Sequence, residues 1–309
     1  MNERCTELLT FCITGGTGYL GSRLIRSLTD RGHRVILLKR SFSNSSRLAD
    51  LLPNTTSFDI DTQPLDVVFR DHAIDCILHC ATDYGRKETP RSSIIEANLL
   101  LPLRLLERAT ERGVRAFINT DTLLDKRVNA YSLSKQQFRD WLETFSAQIT
   151  AINVALEHFY GPGDDPTKFV SFMVARMLSG ESTVDLTPGE QTRDFIFIDD
   201  VVSAFMCIID RHLCLSSDAP PGGPPFTHYE IGTGTSTSIR DFMYMLRELA
   251  CRDDLELRFG AIPYRRNESM HMAANITALT ALGWRAQIPL AQGLERTLAE
   301  ERSHRAWRA

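Results

Sequence analysis

A tyrosine and a lysine four positions apart, in the segment YSLSK at residues 131–135, form the pair of side chains best suited to chemistry. Residues at this spacing lie on the same face of a helix. A free phenol loses its proton at about pH 10, which is too high for ready proton exchange at neutral pH. A neighbouring ammonium group favours the phenolate and lowers that pKa. The pair therefore predicts an acid–base group at Tyr131 that is tuned by Lys135.

A glycine-rich turn near the N-terminus, ITGGTGYLG at residues 13–21, predicts a dinucleotide site. It follows an apolar stretch, precedes an amphipathic one and satisfies both the G-x-G-x-x-G pattern and its G-x-x-G-x-x-G variant. Glycines permit a tight turn and let a pyrophosphate approach the amide groups at the positive end of the next helix. A purely structural glycine turn is the alternative interpretation.

Basic residues end the next predicted strand, in the segment LLKRSFS at 37–43. A dinucleotide site usually places an acidic residue here, where it binds the ribose hydroxyls of the adenosine. Arg40 can instead pair with a ribose 2′-phosphate through two hydrogen bonds, and Lys39 can add a point charge. Ser41 and Ser43 can add neutral hydrogen bonds. The pattern favours NADP(H) over NAD, and two solvated side chains at a strand end are the alternative.

Strands and helices alternate through the first half of the chain, which predicts an α/β fold with a Rossmann-type, doubly wound parallel sheet. The predicted strands are 8–14, 35–38, 76–80, 116–119 and 149–156, and the predicted helices are 21–31, 64–71, 92–112 and 130–145. After residue 163 the pattern becomes irregular, with helices at 168–178, 239–251 and 290–302, strands at 194–198 and 255–259, and a loop at 216–226. We expect residues 1–163 to form the NADP-binding domain, with 193–205 returning to it, and residues 164–309 to form mainly a smaller, mixed substrate-binding domain.

The composition is that of an ordinary globular protein and argues against several classes of partner. The 309 residues carry a formal net charge of −4, so no basic excess favours a nucleic acid. No apolar run approaches the roughly 18 residues that span a bilayer, and we expect no signal peptide. The seven cysteines are scattered, which fits a reducing, cytoplasmic location. No spacing of His and Cys indicates a metal site.

Further motifs, together with those above, resemble the extended short-chain dehydrogenase/reductase family, which includes the NAD-dependent epimerases and dehydratases. They are the TDT strand end at 120–122, YGPGD at 160–164, RDFIFIDDVV at 193–202, YEIGTG at 229–234 and LGW at 282–284. The resemblance covers nearly the whole chain. The segments LLKRSFS, NTDTLLDK at 119–126 and LEHFYGPGDD at 156–165 are similar to those of a subgroup, the CDP-sugar 4-reductases that make dideoxyhexoses such as abequose and paratose.

The resemblance implies that Tyr131 is the general acid/base and that Lys135 tunes it while holding the nicotinamide ribose. A hydroxyl group at the end of the preceding strand would polarise the substrate oxygen. Counting without gaps from the start of that strand favours Thr122 for this role. A shorter alignment would give Thr120 instead, and the two side chains should share a face of the strand. The predicted catalytic residues are Thr122, Tyr131 and Lys135.

The resemblance also extends the predicted cofactor site beyond the glycine turn. Asp59 and Ile60 are similar to the family pair beside the adenine, and Ala81 ends the fourth strand near the cofactor. Asn98 matches a family residue on the helix that packs under the site. The predicted cofactor-binding residues are Gly15, Thr17, Gly18, Tyr19, Leu20, Lys39, Arg40, Asp59, Ile60, Ala81, Asn98, Tyr131 and Lys135.

The substrate site implied by the resemblance contains cations. Arg193 matches the arginine that holds the pyrophosphate of a nucleotide sugar, and Arg265 offers a second cation for the same charge. For each arginine the alternative is a solvated surface residue. Glu157 and His158 replace an aromatic–asparagine pair of many members, and His158 either contacts the sugar or nicotinamide or is a structural histidine. The predicted substrate-binding residues are Thr122, Glu157, His158, Arg193 and Arg265.

These features lead to one main hypothesis, the NADPH-dependent reduction of the 4-keto group of a nucleotide-linked deoxyhexose, with CDP as the expected nucleotide. Family dehydratases carry Thr-Asp-Glu at the strand end, and Thr122 cannot replace the glutamate as a base. An epimerase is a second alternative, although such enzymes mostly keep NAD and favour an acidic residue near position 40. A non-catalytic NADP-sensing protein is the third and should lack the tyrosine or the lysine. Family members are often dimers, so a homodimer is a further expectation.

Overall fold

A computed structural model describes residues 7–86, 88–214, 226–265 and 267–306. The strands are β1 (Thr10–Thr14), β2 (Arg34–Lys39), β3 (Thr56–Asp59), β4 (Cys76–His79), β5 (Ala116–Thr122), β6 (Thr150–Leu156), β7 (His158–Tyr160), β8 (Thr183–Leu186), β9 (Thr192–Arg193), β10 (Phe195–Phe197), β11 (Phe226–Ile231), β12 (Thr237–Ser238) and β13 (Glu256–Phe259). The helices are α1 (Tyr19–Asp30), α2 (Leu65–Asp71), α3 (Arg91–Ile95), α4 (Leu101–Glu111), α5 (Ala130–Thr144), α6 (Phe169–Met177), α7 (Ile198–Ile209), α8 (Ile239–Leu249), α9 (Thr277–Ala281) and α10 (Leu290–Ala306).

A seven-stranded sheet in the order β11-β6-β5-β4-β1-β2-β3 forms the centre of the fold. The pairs β1–β2, β1–β4, β2–β3 and β4–β5 are parallel. The strand order reverses between β1 and β4, and ligands of such sheets bind at the carboxyl ends of the strands beside this switch point. The predicted Rossmann-type, doubly wound fold is confirmed, and its topology locates the ligand crevice after β1 and β4.

Apolar residues at successive strand positions explain why helices cover both faces of the sheet. Cys12, Ile36 and Leu38 belong to a buried cluster that includes residues of α2, α4 and α5. On the other face, α1 buries Leu24 and Ile25, which are 0% exposed. Side chains of a strand alternate between the two faces, so strands buried on both faces read as continuous apolar runs. The sequence pattern of β1, β2 and β4 is of this kind.

The chain divides into two compact units whose boundaries differ from the predicted domains. The first unit contains the described residues up to Ala155 and those of the range 205–229, and the second contains 156–204 and the described residues from 230 onward. The segment that returns to the first unit is thus 205–229, where 193–205 was predicted. The boundary lies within the helix α7, which begins in the second unit and ends in the first.

Other differences concern ends and interruptions of elements. The predicted helix 92–112 consists of α3, a π-helical turn at Glu96–Leu100 and α4. The predicted loop 216–226 lies outside the described residues except for its last position, which begins β11. Within the described ranges, no helix combines the length and the apolar character that crossing a membrane requires.

Candidate active site

The glycine turn joins β1 to α1 at the switch point of the sheet. Gly15 has a φ of +66°, and its carbonyl accepts a hydrogen bond from the Gly18 amide at 3.0 Å. Gly18 then serves as the N-cap of α1, without a side-chain cap. Because the first amide groups of a helix have no partner within the helix, this end is available to an anion. The turn has the geometry that a dinucleotide pyrophosphate requires.

The space around the turn shows why glycine is needed at two of its positions. A Cβ atom on Gly15 would overlap the backbone of Cys80 and Ala81 at the end of β4, and one on Gly21 would overlap the Gly15 carbonyl. Gly15 also has a backbone conformation that other residues rarely adopt. The loop after β1, the end of β4 and the start of α1 therefore approach each other at the level of the backbone. Such close packing of backbone around glycines is what the turn of a dinucleotide site requires.

We expect Gly21→Ala to damage this glycine turn. The added methyl group must push α1 away from the turn, which should lower the free energy of unfolding by about 1–3 kcal/mol and weaken NADPH binding at least roughly tenfold. Chemical denaturation and fluorescence titration with NADPH measure the two effects. Gly180→Ala adds the same methyl group where no atom lies within 4 Å, and it should change neither. Unaltered NADPH binding by Gly21→Ala would contradict the assignment of the glycine turn as the dinucleotide site.

The predicted 2′-phosphate site lies at the ends of β2 and β3, and its cations already have acidic neighbours. Arg40 Nε is 2.6 Å from an Asp61 carboxylate oxygen, and the Ser41 hydroxyl donates to Asp59 at 2.6 Å. Lys39 pairs with Asp59 in the register of the two strands. The hydrogen bond from Ser41 lowers the pKa of Asp59. A 2′-phosphate would thus compete with Asp61 for Arg40, whose side chain is 48% exposed.

The other predicted cofactor residues fall into exposed and buried groups. Thr17, which is partly buried, and Gly18, which is exposed, lie at the tip of the turn, whereas Tyr19 and Leu20 are buried in the first turn of α1. The Ile60 amide donates to the Lys39 carbonyl at 3.0 Å. Buried side chains here position the loop, and the groups with access to a ligand are the exposed turn residues.

Ala81 and Asn98 hold the segment that follows β4. The Ala81 amide donates to the Thr14 hydroxyl at 3.3 Å. The Asn98 side chain is buried; it accepts from the Asp83 amide at 2.8 Å and donates to the Asp83 carbonyl at 2.8 Å and the Ser134 hydroxyl at 3.0 Å. Asn98 therefore ties the loop after β4 to α5. The role of Asn98 under the cofactor stays a prediction.

The acid–base pair occupies the first turns of α5. The Asn129 side chain caps this helix by accepting from the Ser132 amide, and Ser132 completes a capping box, which fixes where the helix begins. Tyr131 and Lys135 follow on one face. The Lys135 side chain is buried, and its ammonium group lies 3.5 Å from the Thr82 hydroxyl. The capping motif thus sets the position of both functional groups.

The two candidate hydroxyl groups on β5 have different partners. Thr120 is buried and donates to the His79 carbonyl at 3.0 Å, so its proton is used within the sheet. The Thr122 hydroxyl accepts from the Leu124 amide at 3.2 Å, and its interaction with Tyr131 lowers the pKa of that phenol. Thr122 is only partly buried. This arrangement supports Thr122 as the hydroxyl that acts together with Tyr131.

Burial has the largest effect on the pKa values of Tyr131 and Lys135. It raises the pKa of the Tyr131 phenol, with smaller contributions in the same direction from Tyr84 and Asp121. It lowers the pKa of the Lys135 ammonium to about 8, although Asp121 and Cys80 oppose this change. The spacing of Tyr131 and Lys135 predicted that the ammonium would lower the pKa of the phenol; this prediction is wrong, because desolvation raises it. At neutral pH the site therefore holds a protonated phenol beside an ammonium group.

The second unit contains the other predicted substrate residues, and two of them form a pair. The Glu157 side chain is 1% exposed, and its carboxylate lies 2.9 Å from Nδ1 of His158, whose side chain is 34% exposed. The same carboxylate oxygen accepts from the His158 amide at 3.2 Å. The His158 ring contacts the edge of Phe195, with the ring centroids 5.9 Å apart. Glu157 therefore orients the imidazole and favours a proton on Nδ1.

Arg193 is engaged within the second unit. Its guanidinium forms an ion pair with Glu268, and it donates to the carbonyls of Thr192 at 2.7 Å and Ser269 at 2.8 Å. The side chain is 9% exposed. A substrate pyrophosphate would have to compete with Glu268 for it. Arg265, by contrast, is exposed.

Two features of the site were not assigned a role from the sequence. Tyr84 packs against the Tyr131 ring, with the centroids 5.0 Å apart, and Asp121 contacts Asn153 on the neighbouring strand at 2.9 Å. The loop around Tyr84 carries no pattern that predicts this contact. The contact of Asp121 with Asn153 had a signal in the sequence, because the polar Asn153 interrupts the apolar run AINVAL of β6. Among the described residues, no cluster of three or more His, Cys, Asp or Glu side chains has metal-binding geometry.

This chain is similar to one protein family and to several known proteins. The sequence profile of the NAD dependent epimerase/dehydratase family matches residues 11–215. CDP-abequose synthase of Salmonella typhimurium is 32% identical over 297 residues, which are 93% of this chain and 96% of that protein. UDP-glucose 4-epimerase of Thermotoga maritima, solved with UDP-glucose, has a TM-score of 0.80 at 23% identity and covers 96% of this chain and 99% of its own.

A third protein has a similar fold. DesIV of Streptomyces venezuelae, a dTDP-glucose 4,6-dehydratase solved with NAD, has a TM-score of 0.80 at 22% identity, covering 97% of this chain and 98% of its own. At this level of identity the two solved structures establish the fold. The identity to CDP-abequose synthase extends over both units of the chain.

Proposed function

The chain belongs to the NAD dependent epimerase/dehydratase family, and from this premise we propose that it reduces the 4-keto group of a nucleotide-linked deoxyhexose with NADPH. The similarity to a CDP-abequose synthase over 93% of the chain supports a CDP-linked sugar as the substrate. Bound NADPH supplies the hydride for such a reduction. The remaining tasks, which are to bind and orient the sugar and to deliver one proton, belong to side chains of this chain.

The placement of Tyr131 and the buried Lys135 on one face of α5, whose start is fixed by the capping box of Asn129 and Ser132, carries the proposal. Reduction of a ketone places negative charge on its oxygen, and a donor aimed at that oxygen stabilises the transition state. Tyr131 is protonated at neutral pH, because burial raises its pKa, so it can donate the proton that the alkoxide needs. Thr122 donates a hydrogen bond to the same oxygen. Lys135 holds the nicotinamide ribose and supplies positive charge next to the phenol.

The end of β5 also argues against dehydration. In the family dehydratases that this chain resembles, a glutamate at the corresponding strand end removes the proton from C5 of the sugar. Thr122 occupies that position, and the adjacent carboxylate of Asp121 accepts from the Thr122 amide at 2.7 Å and from Asn153 at 2.9 Å. The Asp121 side chain is 2% exposed. The strand end therefore offers a sugar a hydroxyl group and no free carboxylate.

Two basic residues support NADPH as the reductant. A carboxylate at the end of β2 would repel a 2′-phosphate, whereas Lys39 and Arg40 can pair with it. Arg40 is paired with Asp61 in an accessible position. A 2′-phosphate therefore needs only to replace the Asp61 carboxylate in order to bind Arg40. In this proposal the nucleotide sugar is bound by residues of the second unit, which are Glu157, His158, Arg193 and Arg265.

The proposal is tested by following NADPH absorbance while CDP-, dTDP-, GDP- and UDP-linked 4-keto-6-deoxyhexoses are offered separately. We expect stoichiometric oxidation of NADPH with at least one sugar, and fastest with the CDP-linked one. Sugar conversion with no net change in NADPH would assign the chain to the epimerases instead. Consumption with none of the four, by a protein that binds NADPH, would refute the proposed reduction and favour a non-catalytic NADP-binding role.

A further inference from the structure

Tyr84, in the loop that follows β4, brings an aromatic ring to the proposed proton donor. The ring centroids of Tyr84 and Tyr131 are 5.0 Å apart, and the ring planes are inclined by 46°. Aromatic rings attract each other at centroid distances of roughly 4.5–7 Å. The loop also starts at the carboxyl end of β4, beside the switch point of the sheet, where ligands of this fold bind. Two independent observations therefore place Tyr84 in the ligand crevice.

One buried side chain, that of Asn98, fixes this loop relative to α5. Asn98 is 0% exposed, and it binds both main-chain groups of Asp83, accepting from the amide at 2.8 Å and donating to the carbonyl at 2.8 Å. It also donates to the Ser134 hydroxyl at 3.0 Å. That hydroxyl donates in turn to the Tyr131 carbonyl at 2.8 Å. The residue before Tyr84 is thus connected to the turn of α5 that begins at Tyr131.

The chain is also fixed on the other side of Tyr84. The Gly85 amide donates to the Asp83 carboxylate at 2.8 Å. Gly85 has a φ of +66°, a conformation that glycine adopts readily and other residues rarely do. The central carbon of the Arg86 guanidinium lies 4.9 Å from the Tyr84 ring centroid, a distance typical of a cation–π contact. The Tyr84 ring therefore lies in a shaped turn and contacts both Tyr131 and Arg86.

The contribution of Tyr84 to the core does not explain this arrangement. Tyr84 is 41% exposed, and substitution of exposed residues usually changes stability little. The neighbouring Tyr131, by contrast, needs a fixed ring, because rotation of a tyrosine ring about its Cβ–Cγ bond has only a broad intrinsic preference. A misplacement of about 1 Å at a reacting group can lower the rate roughly 100-fold. An aromatic neighbour that restricts this rotation therefore serves the chemistry more than the stability.

We propose that Tyr84 is a positioning residue of the active site: its ring holds the Tyr131 ring in the orientation from which the phenol donates its proton. The inference rests on the proposed function, because it takes Tyr131 as the proton donor. It gives the loop after β4 a role in the proton transfer. The aromatic ring of Tyr84 is the part required for this role, and its hydroxyl group is not.

Two substitutions of Tyr84 separate the ring from the hydroxyl group. Tyr84→Leu removes the ring and keeps an apolar side chain, and it should lower kcat for the converted sugar by roughly 10- to 100-fold. Tyr84→Phe keeps the ring, and its kcat should stay within about twofold of the unaltered protein. Steady-state kinetics measure kcat, while chemical denaturation and fluorescence titration with NADPH show whether stability and cofactor binding are retained in both variants.

Tyr244→Leu is the matched control. Tyr244 is 44% exposed on α8 and contacts Phe259, with the ring centroids 5.4 Å apart. This variant therefore loses an aromatic ring of similar exposure that has a similar ring contact, and its kcat should not change. Tyr84→Met is a second ringless variant with a flexible side chain, and it should behave like Tyr84→Leu. If Tyr84→Leu does not fold, Tyr84→Met decides by the same criteria.

A second measurement does not depend on the reaction. The protein is labelled with ring-¹³C tyrosine, and the signal of Tyr131 is identified among the seven tyrosines by its loss in Tyr131→Phe. Relaxation of this signal reports the order of the ring on the picosecond to nanosecond timescale. We expect lower order of the Tyr131 ring in Tyr84→Leu, and unchanged order in Tyr84→Phe and Tyr244→Leu.

The two measurements together decide the proposal. Lower ring order and lower kcat in Tyr84→Leu, with both retained in Tyr84→Phe, support it. Unchanged order of the Tyr131 ring in Tyr84→Leu would overturn it, and so would an unchanged kcat or an equal loss of kcat in Tyr244→Leu. If the unaltered protein reduces no sugar, the proposed function fails by itself, and the NMR comparison alone decides whether Tyr84 holds the Tyr131 ring.

Discussion

Tyr131→Phe is expected to lower kcat for 4-keto reduction by roughly 10²- to 10⁴-fold, the range typical of a lost general acid. Phenylalanine keeps the ring contact with Tyr84, whose centroid is 5.0 Å away, and removes only the hydroxyl that interacts with Thr122. Binding of NADPH should change by no more than about twofold, as for a substitution that leaves packing intact. Steady-state kinetics and NADPH titration measure the two quantities.

A matched control for this variant is Tyr244→Phe. Tyr244 is 44% exposed on α8 and contacts Phe259 with its ring, so it loses the same hydroxyl group away from the proposed chemistry. Its kcat should remain within about twofold of the unaltered protein. Retention of more than a tenth of the kcat by Tyr131→Phe would contradict the role of the phenol as proton donor.

The second large effect is expected at the cofactor phosphate. Replacing both Lys39 and Arg40 by alanine should weaken NADPH binding roughly 100-fold, because a charge-assisted hydrogen bond contributes about 1.5–3 kcal/mol. NADH binding should change much less, since NADH lacks the 2′-phosphate. The ratio of the two dissociation constants, measured by fluorescence titration, isolates the contribution of that phosphate.

Arg26→Ala provides the control for this double variant. Arg26 forms a surface ion pair with Asp50 at 2.6 Å and is 42% exposed, which closely resembles the pair of Arg40 with Asp61. Its removal should leave the NADPH-to-NADH ratio unchanged. If the unaltered protein binds NADH more tightly than NADPH, Lys39 and Arg40 do not form a phosphate site, and Asp59 and Asp61 would then be the groups that select NAD.

Features with a local physical cause were predictable from the sequence. The apolar runs of β1, β2 and β4 and the glycine turn specify a strand–turn–helix unit, and the helix that carries Tyr131 begins at residue 130 as expected. The family resemblance is confirmed by the match over residues 11–215. Helix ends and interruptions were harder to predict from the sequence. The π-helical turn at Glu96–Leu100, which carries Asn98, has no recognisable signal in a helical pattern.

Contacts between distant residues could not be predicted. Arg193 looked like a free cation for a pyrophosphate, but it pairs with Glu268, and only the tertiary fold brings these two residues together. In the same way, the pairing of β2 with β3 brings Asp61 next to Arg40. The pKa of Tyr131 is a third example. Its direction depends on how deeply the phenol is buried, and the spacing to Lys135 does not contain this information.

Transfer of deuterium tests the central claim most directly. The protein is incubated with a CDP-linked 4-keto-6-deoxyhexose and NADPH that carries deuterium at its transferable position, and the sugar is analysed by NMR and mass spectrometry. A 4-keto reductase should give one deuterium at C4 of the product for each NADPH oxidised. A product that contains no deuterium at C4, or a sugar converted while NADPH remains unoxidised, would contradict it.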